Sequence, residues 1–308
     1  MTETAKEIFE KYQVRKTKKQ KSKFIEFAKI KAEELSYEVK VEKGYLGARN
    51  IVVGDVKSAK VVYTAHYDTC AVLPFPNFIT PKNFTIYLLY QILIVAVFFA
   101  VAFVLGFVFG FIGTFLKLPD IIIRYSAMAV YWILLILIFA GPANRHTAND
   151  NTSGVITLFS IMEKLPEEQR NKVAFVFFDL EEAGLFGSIG FASKHNREMK
   201  NKPLINFDCV SDGDNILFAI RRDAAKLSTK ITDAFPESER FKVHALTKGV
   251  FYPSDQANFP LGIGVAALKS TRGGTLYMNR IHTVRDTVFE KENIELLTDG
   301  AVRLTEML

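Results

Sequence analysis

The sequence predicts an α/β fold: a central mixed, largely parallel β-sheet flanked by helices and interrupted by a two-helix apolar hairpin. Three observations predict it. Short runs rich in Val, Ile and Phe alternate with segments of helical periodicity, the pattern of buried strands in a substantially parallel sheet. Carboxylates and imidazoles recur next to those runs, where open α/β sheets carry their ligands. One interval, residues 83–141, is almost free of charge while the rest of the chain is not.

The 308 residues suffice for one large domain with a buried core. Over residues 2–35, Ile8, Tyr12, Phe24, Phe27 and Ile30 stand at helical spacing among many charges, which predicts one or two amphipathic helices. The same stretch holds a dense cluster of basic residues, Lys11, Arg15, Lys16, Lys18, Lys19, Lys21 and Lys23, in a chain of net charge +6. No aromatic-interleaved basic stripe or nucleic-acid motif follows, so nucleic acid is not expected as a partner. The cluster reads as a solvated helix close to anionic headgroups. The first thirty residues contain no apolar run of the kind a signal peptide requires. Two cysteines, Cys70 and Cys209, exclude a disulfide framework and fit a reducing compartment. Short β-like runs follow at 37–41, 50–53 and 60–65, punctuated by Gly44, Gly47 and Gly54.

Residues 84–116 carry no charge, and residues 121–141 carry only Arg124. Each stretch reaches the roughly 20 apolar residues a bilayer crossing needs. Lys117-Leu118-Pro119-Asp120 makes a tight turn between them. The expectation is a transmembrane hairpin inserted into one discontinuous domain, residues 1–82 and 142–308, of about 250 residues. The Lys-rich N-terminus, Lys82 and Arg145 outweigh Lys117 and Arg124, placing the domain on the cytoplasmic side. Ala102, Gly106, Gly110 and Thr114 recur every fourth residue, a small-residue stripe for packing on the second helix or on another copy of the chain. The competing reading buries the hairpin in a soluble oligomer, but a soluble helix normally keeps one polar face.

Beyond the hairpin, 154–165 reads as a helix, 172–180 as a strand, 204–207, 216–220 and 264–268 as strands, and 292–307 as the closing helix.

Five local patterns carry chemistry. His66 and Asp68 lie two apart at the end of a strand and so share a face, which lets Asp68 orient the imidazole for a metal. Ala148-Asn149-Asp150-Asn151-Thr152-Ser153-Gly154 precedes a helix; capping alone does not need so many oxygen-bearing side chains. The strand 173–178 ends in Asp179-Leu180-Glu181-Glu182, and carboxylates so close repel one another unless cations or protons intervene, a solvated turn being the plainer alternative. Asn206-Phe207-Asp208 repeats the arrangement. His282-Thr283 with Asp286-Thr287 supplies the last imidazole. One metal needs three protein ligands and an open position, and two metals can share a carboxylate. His66, Asp150, Glu182, Asp208 and His282 meet that count for two ions if Asp150 bridges, which leaves Glu181 for general-base work.

With these motifs in this order, the chain resembles the aminopeptidase-Y-like family of dizinc exopeptidases, which also contains secreted bacterial leucyl aminopeptidases and glutamate carboxypeptidases. The resemblance spans roughly residues 50–286 without the hairpin. It implies a zinc-exopeptidase fold, two Zn2+ per chain (Co2+ or Mn2+ fit the same donors), and a peptide substrate. His66 and Asp208 would hold one ion, Glu182 and His282 the other, with Asp150 shared. Asp68 would orient His66, and Glu181 would take a proton from the attacking water and deliver it to the leaving amine. The Asp150–Asn151 peptide would be cis. Two positions depart from the family. Ile281 stands where many relatives carry an oxyanion-stabilising Tyr, leaving Tyr252 or Tyr277 as substitutes, and Ser254-Asp255-Gln256 replaces a Ser-Asp-His stretch.

These readings converge on a membrane-anchored aminopeptidase. A carboxypeptidase would need a cationic pocket, for which Arg272, Arg280 and Arg285 are available. A glutaminyl-cyclase-like transferase uses one zinc and has no need of His66 and Asp208 as ligands. A non-catalytic receptor or scaffold would not need the complete donor set.

Overall fold

The computed structural model describes the whole chain, Met1–Leu308, apart from the side chains of residues 127 and 139. Local capping starts the N-terminal helices. Thr2 caps α1 (Glu3–Lys11) by accepting from the Ala5 amide, and Thr17 with Gln20 forms a reciprocal box at the start of α2 (Lys18–Glu34). One apolar stripe on each is buried: Ala5 and Ile8 on α1, and Phe24, Phe27, Ala28 and Ala32 on α2. The strands β1 (Val39–Lys43), β2 (Arg49–Val53) and β3 (Val61–His66) follow.

The apolar interval forms α3 (Phe84–Phe115) and α4 (Asp120–Ala140), packed on each other. Both are long and apolar enough to cross a membrane, and neither has a buried span. Gly110 and Gly113 of α3 face Ile123 of α4, so that a Cβ on Gly113 would come within 2.9 Å of the Ile123 side chain. In this structure the small-residue stripe serves at Gly110 as a contact with α4.

After the hairpin come α5 (Gly154–Lys164), β4 (Val173–Phe178), α6 (Phe186–Lys194), α7 (Asn196–Met199), β5 (Leu204–Phe207) and β6 (Asn215–Ile220). Then α8 (Ser228–Ala234), β7 (Lys242–Leu246), β8 (Gly262–Ser270), β9 (Leu276–Tyr277) and α9 (Lys291–Met307) complete the chain. One sheet runs in the order β1-β2-β4-β3-β5-β8-β6-β7, with β9 on β8. Its central strands β4, β3, β5 and β8 are mutually parallel, while β1–β2, β2–β4 and β6–β8 are antiparallel. The expected mixed, largely parallel sheet is therefore present, and strands from both sides of the hairpin share it.

Strand alternation divides the core into two layers. Val173, Phe175 and Phe177 of β4 pack with α1, α2, α5 and α9, whereas Ala174, Val176 and Phe178 pack with α6 and α7. Burying each such Phe contributes roughly 1.5–3 kcal/mol. In the basic N-terminal cluster Lys11, Lys18, Lys19 and Lys23 are exposed as expected, whereas Arg15 and Lys21 are buried.

Candidate metal centre

Because β3, β4 and β5 run side by side in one direction, their C-terminal ends meet at one edge. His66 is the last residue of β3, Asp179–Glu182 follow β4, and Asp208 follows β5. The segment 148–153 and the loop holding His282 close over the same edge. All five proposed ligands, spread over more than two hundred residues of sequence, come together there.

Asp150 lies at the middle. Its Oδ1 is 3.3 Å from Nε2 of His66 and its Oδ2 is 3.1 Å from Nε2 of His282. Asp208 Oδ1 is 3.5 Å from the same His66 nitrogen, and Glu182 Oε2 is 3.2 Å from the His282 nitrogen. Each imidazole thus presents its Nε2 to two carboxylates and shares Asp150 with the other. The potential ligand atoms of His66, Asp150 and Asp208 lie within 4.8 Å of one another, as do those of Cys70, Glu182 and His282.

Local hydrogen bonds hold the donors in place. Asp286 accepts the main-chain amides of Asn149 and Asp150 at 2.9 and 3.0 Å. Asn151 donates to the Phe207 carbonyl and accepts from the Gly154 amide, which ties the Asp150 segment to the end of β5. A Cβ on Gly154 would sit 2.3 Å from the Phe207 carbonyl oxygen, so only glycine allows this approach. The Asp150–Asn151 peptide is cis. Four non-glycine residues around the centre, Leu180, Leu185, Cys209 and His282, hold left-handed backbone angles, a clustering typical of functional sites.

Asp68 faces both His66 and the glutamates. The main-chain carbonyl of Asp68, not its carboxylate, is the nearer partner of His66 Nδ1, at 3.1 Å against 3.7 Å. That contact keeps the N–H on Nδ1 and turns Nε2 towards the centre. The Asp68 carboxylate also accepts the amides of Glu181 at 3.0 Å and Glu182 at 3.3 Å. It positions both glutamates at once.

The electrostatics call for cations. Burial pushes Glu181 well above the usual carboxylate range and raises Glu182 as well. Burial also disfavours charge on Asp150, but the two imidazoles outweigh it and hold that carboxyl low. Conversely, burial alone would lower His66 and His282, and the surrounding carboxylates more than reverse this. In the metal-free chain, protons on the histidines therefore balance the acids. Oε1 of Glu182, whose other oxygen faces His282, is buried with no hydrogen-bond partner, an orphaned acceptor. Nitrogen and oxygen donors around an orphaned carboxylate oxygen fit a divalent ion of the zinc type.

Several contributors were not legible as such. Arg15 is fully buried behind the centre, donating to the Tyr67 carbonyl and to Thr152. Burial lowers its guanidinium to about 10, with Asp68 and Asp150 opposing the fall. Asp179, grouped with Glu181 and Glu182 by sequence, is withdrawn from the chemistry by a buried 2.5 Å ion pair with Lys21. Asn206 donates to Ser254 and Gln256, so the divergent Ser-Asp-Gln stretch braces the strand before Asp208. Asp255 between them is fully buried, and burial lifts its carboxyl to about 7. Of the two candidate tyrosines, Tyr252 lines the cavity over the centre and donates to the Asp208 carbonyl, while Tyr277 packs against Phe78 and Lys269 elsewhere. Ile281 also lines that cavity of about 270 Å³. His195 pairs with Glu42, and His244 with Asn215, outside the centre.

An α/β sheet with imidazoles and carboxylates gathered at the ends of its parallel strands, around buried glutamates, defines a metal-dependent hydrolase. Residues 136–303 match the model for peptidase family M28, and the chain belongs to that family. No curated protein matches the sequence. Among solved structures, the fold is similar to the LapA aminopeptidase of Legionella pneumophila, with 14% identity, a TM-score of 0.57, and 98% of this chain and 69% of that one covered. It is also similar to a Zn-dependent exopeptidase from Parabacteroides distasonis, with 14% identity, a TM-score of 0.54, and coverage of 98% and 94%. The glutaminyl cyclase of Bacteroides thetaiotaomicron is comparable, with 15% identity, a TM-score of 0.55, and coverage of 98% and 94%. Likeness at these identities establishes the fold.

Proposed function

We propose that this chain is a membrane-anchored, zinc-dependent aminopeptidase of the aminopeptidase-Y-like type. The observation that carries the reading is Asp150 set between two imidazoles, one on each oxygen, with a further carboxylate beside each ring. His66 and Asp208 would hold one Zn2+, Glu182 and His282 a second, and Asp150 would serve both. When bound, zinc polarises the scissile carbonyl and lowers the pKa of the attacking water.

The chain's own groups do the rest. Glu181, whose carboxyl burial holds well above the usual range, is suited to take a proton from the water and pass it to the departing amine. Asp68 fixes the main chain of Glu181, so the base keeps its place while it changes charge. A cavity lined by Glu181, Glu182, Asp150 and Asp208 suits a substrate's free ammonium group.

The three arginines considered for a carboxypeptidase pocket do not line this cavity. Arg280 pairs with Asp212 at 2.8 Å, and Arg285 donates to the Asn279 carbonyl. The nearness of His66 and Asp208 favours a two-ion peptidase over a cyclase that uses one zinc. The test is a cleavage profile of the detergent-solubilised protein on free and N-terminally blocked peptides, with and without chelator. Chelator-sensitive release of N-terminal residues from free peptides alone supports the reading. Cleavage of blocked peptides from their carboxyl ends, or cyclisation of N-terminal glutamine without hydrolysis, overturns it.

A further inference from the structure

The hairpin does more than leave the domain at a convenient loop. Both strands of its stalk are stitched to the loop that carries His282. The Leu73 amide donates to the His282 carbonyl at 2.8 Å, and the Asn77 amide to the Ile281 carbonyl at 3.4 Å. On the returning strand, Asn144 donates from its side chain to the Thr283 carbonyl and from its amide to the Cys70 carbonyl. At the other root, Phe84 of α3 meets Phe251 edge-to-face and Tyr87 meets it at a tilt, Phe251 being the neighbour of Tyr252 in the cavity wall. The roots of both apolar helices thus contact segments that border the metal centre.

A second cavity, of about 460 Å³, adjoins the first and shares Glu182 and His282 with it. A volume of that size accommodates a small ligand. Its outer lining includes Ile138, in the last turn of α4, together with Leu46, Leu73 and Phe186. Leu46 is 75% exposed and held in the left-handed region, an apolar side chain displayed at the rim rather than buried. From Thr69 to Pro81 the stalk carries no charge and includes Leu73, Phe75 and Phe78. Lys16, Lys21 and Asp68 also line this cavity, so its charged floor is flanked by an apolar helix end and a charge-free, aromatic-containing stalk, an arrangement suited to a peptide held beside a lipid surface.

We propose that the hairpin is part of the substrate site, and that the cavity walled by Ile138 receives the leading residues of peptides that are themselves held at the bilayer surface. This rests on the peptidase reading above and deepens it by naming the substrate class. Since α4 ends within one turn of Ile138, the cavity lies at the level where a spanning helix leaves the hydrocarbon. A peptide whose first residue is close to its own membrane anchor reaches it directly. One presented on a long polar tether gains only the general increase in local concentration.

The test uses the full chain in zinc-loaded lipid nanodiscs with three substrates sharing the same leading residues. One is a soluble fluorogenic aminoacyl amide. The second is a lipid-anchored peptide with its N-terminus roughly four residues from the anchor, and the third has a flexible polar spacer of roughly thirty residues. The short-spaced peptide is expected to be cleaved about tenfold faster than the long-spaced one at equal surface density. Ile138→Asp is expected to cut that ratio by about fivefold, with bound zinc measured to establish an intact centre. Equal rates for the two spacers, or an unchanged ratio in Ile138→Asp with zinc retained, overturn the inference alone. Failure of the soluble amide as well overturns the peptidase reading and this inference with it.

Discussion

Replacing Asp68 by Asn tests whether the carboxylate positions Glu181 and Glu182 for the proposed reaction or only steadies a histidine. The side chain accepts two amides, from Glu181 at 3.0 Å and Glu182 at 3.3 Å. A hydrogen bond to a charged acceptor is worth roughly 1.5–3 kcal/mol. Asn keeps one carbonyl acceptor but turns its NH2 group against the other amide, so one of the two bonds is lost. The expected cost is about 1.5–3 kcal/mol, or roughly 10- to 100-fold in rate if it is felt mainly in the transition state. The assay is kcat and KM on a fluorogenic aminoacyl amide at saturating zinc, with bound metal measured by atomic emission. The fall should appear in kcat, with KM and zinc content near wild type, because Nδ1 of His66 is held by the main-chain carbonyl. A rate within about twofold of wild type would remove Asp68 from the machinery. A loss of activity that tracks loss of zinc would refute the reasoning, because the carboxylate would then be acting through His66.

Three further outcomes follow from the same geometry. Glu181→Gln should lower turnover by about 10²- to 10⁴-fold, the usual contribution of a general base, with zinc content retained. Lys21→Met strips the buried Asp179 of its partner at 2.5 Å and should destabilise the fold by about 3–5 kcal/mol in denaturant titration, whereas the double replacement with Asp179→Leu should recover much of that. The pH dependence separates the metal-free from the loaded protein. Asp255 and Asp286 are raised to about 7 by burial, and His66 and His282 are raised as well. Groups raised on folding contribute stability that is present below their unfolded pKa and lost as pH climbs through the folded value. Asp150, held low, acts in the opposite sense, but only on the acid side of the unfolded carboxylate range. The melting temperature of the chelated protein should therefore fall as pH rises from about 4.5 to about 7.5. The increment contributed by added zinc should grow over the same interval, because the ligands must give up protons to bind it. A chelated protein that gains stability with pH would contradict the proton balance described for the centre.

Much of the centre was legible because metal chemistry needs particular donor atoms beside strand ends. His66, Asp150, Glu182, Asp208 and His282 each stood in a recognisable local pattern, and their order along the chain identified the group to which they belong. Apolar runs such as 173–178 are equally legible, since a strand covered on both faces has no place for charge. Other elements were not. Strand β7 reads Lys-Val-His-Ala-Leu at a half-exposed sheet edge, and α6 contains two glycines, so neither carries a strong local signal.

What the sequence by itself determined is the set of candidate donor residues, the buried strands and the charge-free interval, because each depends on chemistry within a few neighbouring residues. The tertiary structure alone decided that β3 lies between β4 and β5, which brings their C-terminal ends to one edge. It also decided that Asp179 belongs to Lys21, that Asp68 serves the glutamates through their amides, and that Ile138 of a membrane-type helix stands in the cavity wall. These are relations between groups far apart in the chain. Distance and burial, not residue type, set their strength, and neither exists until the chain is folded.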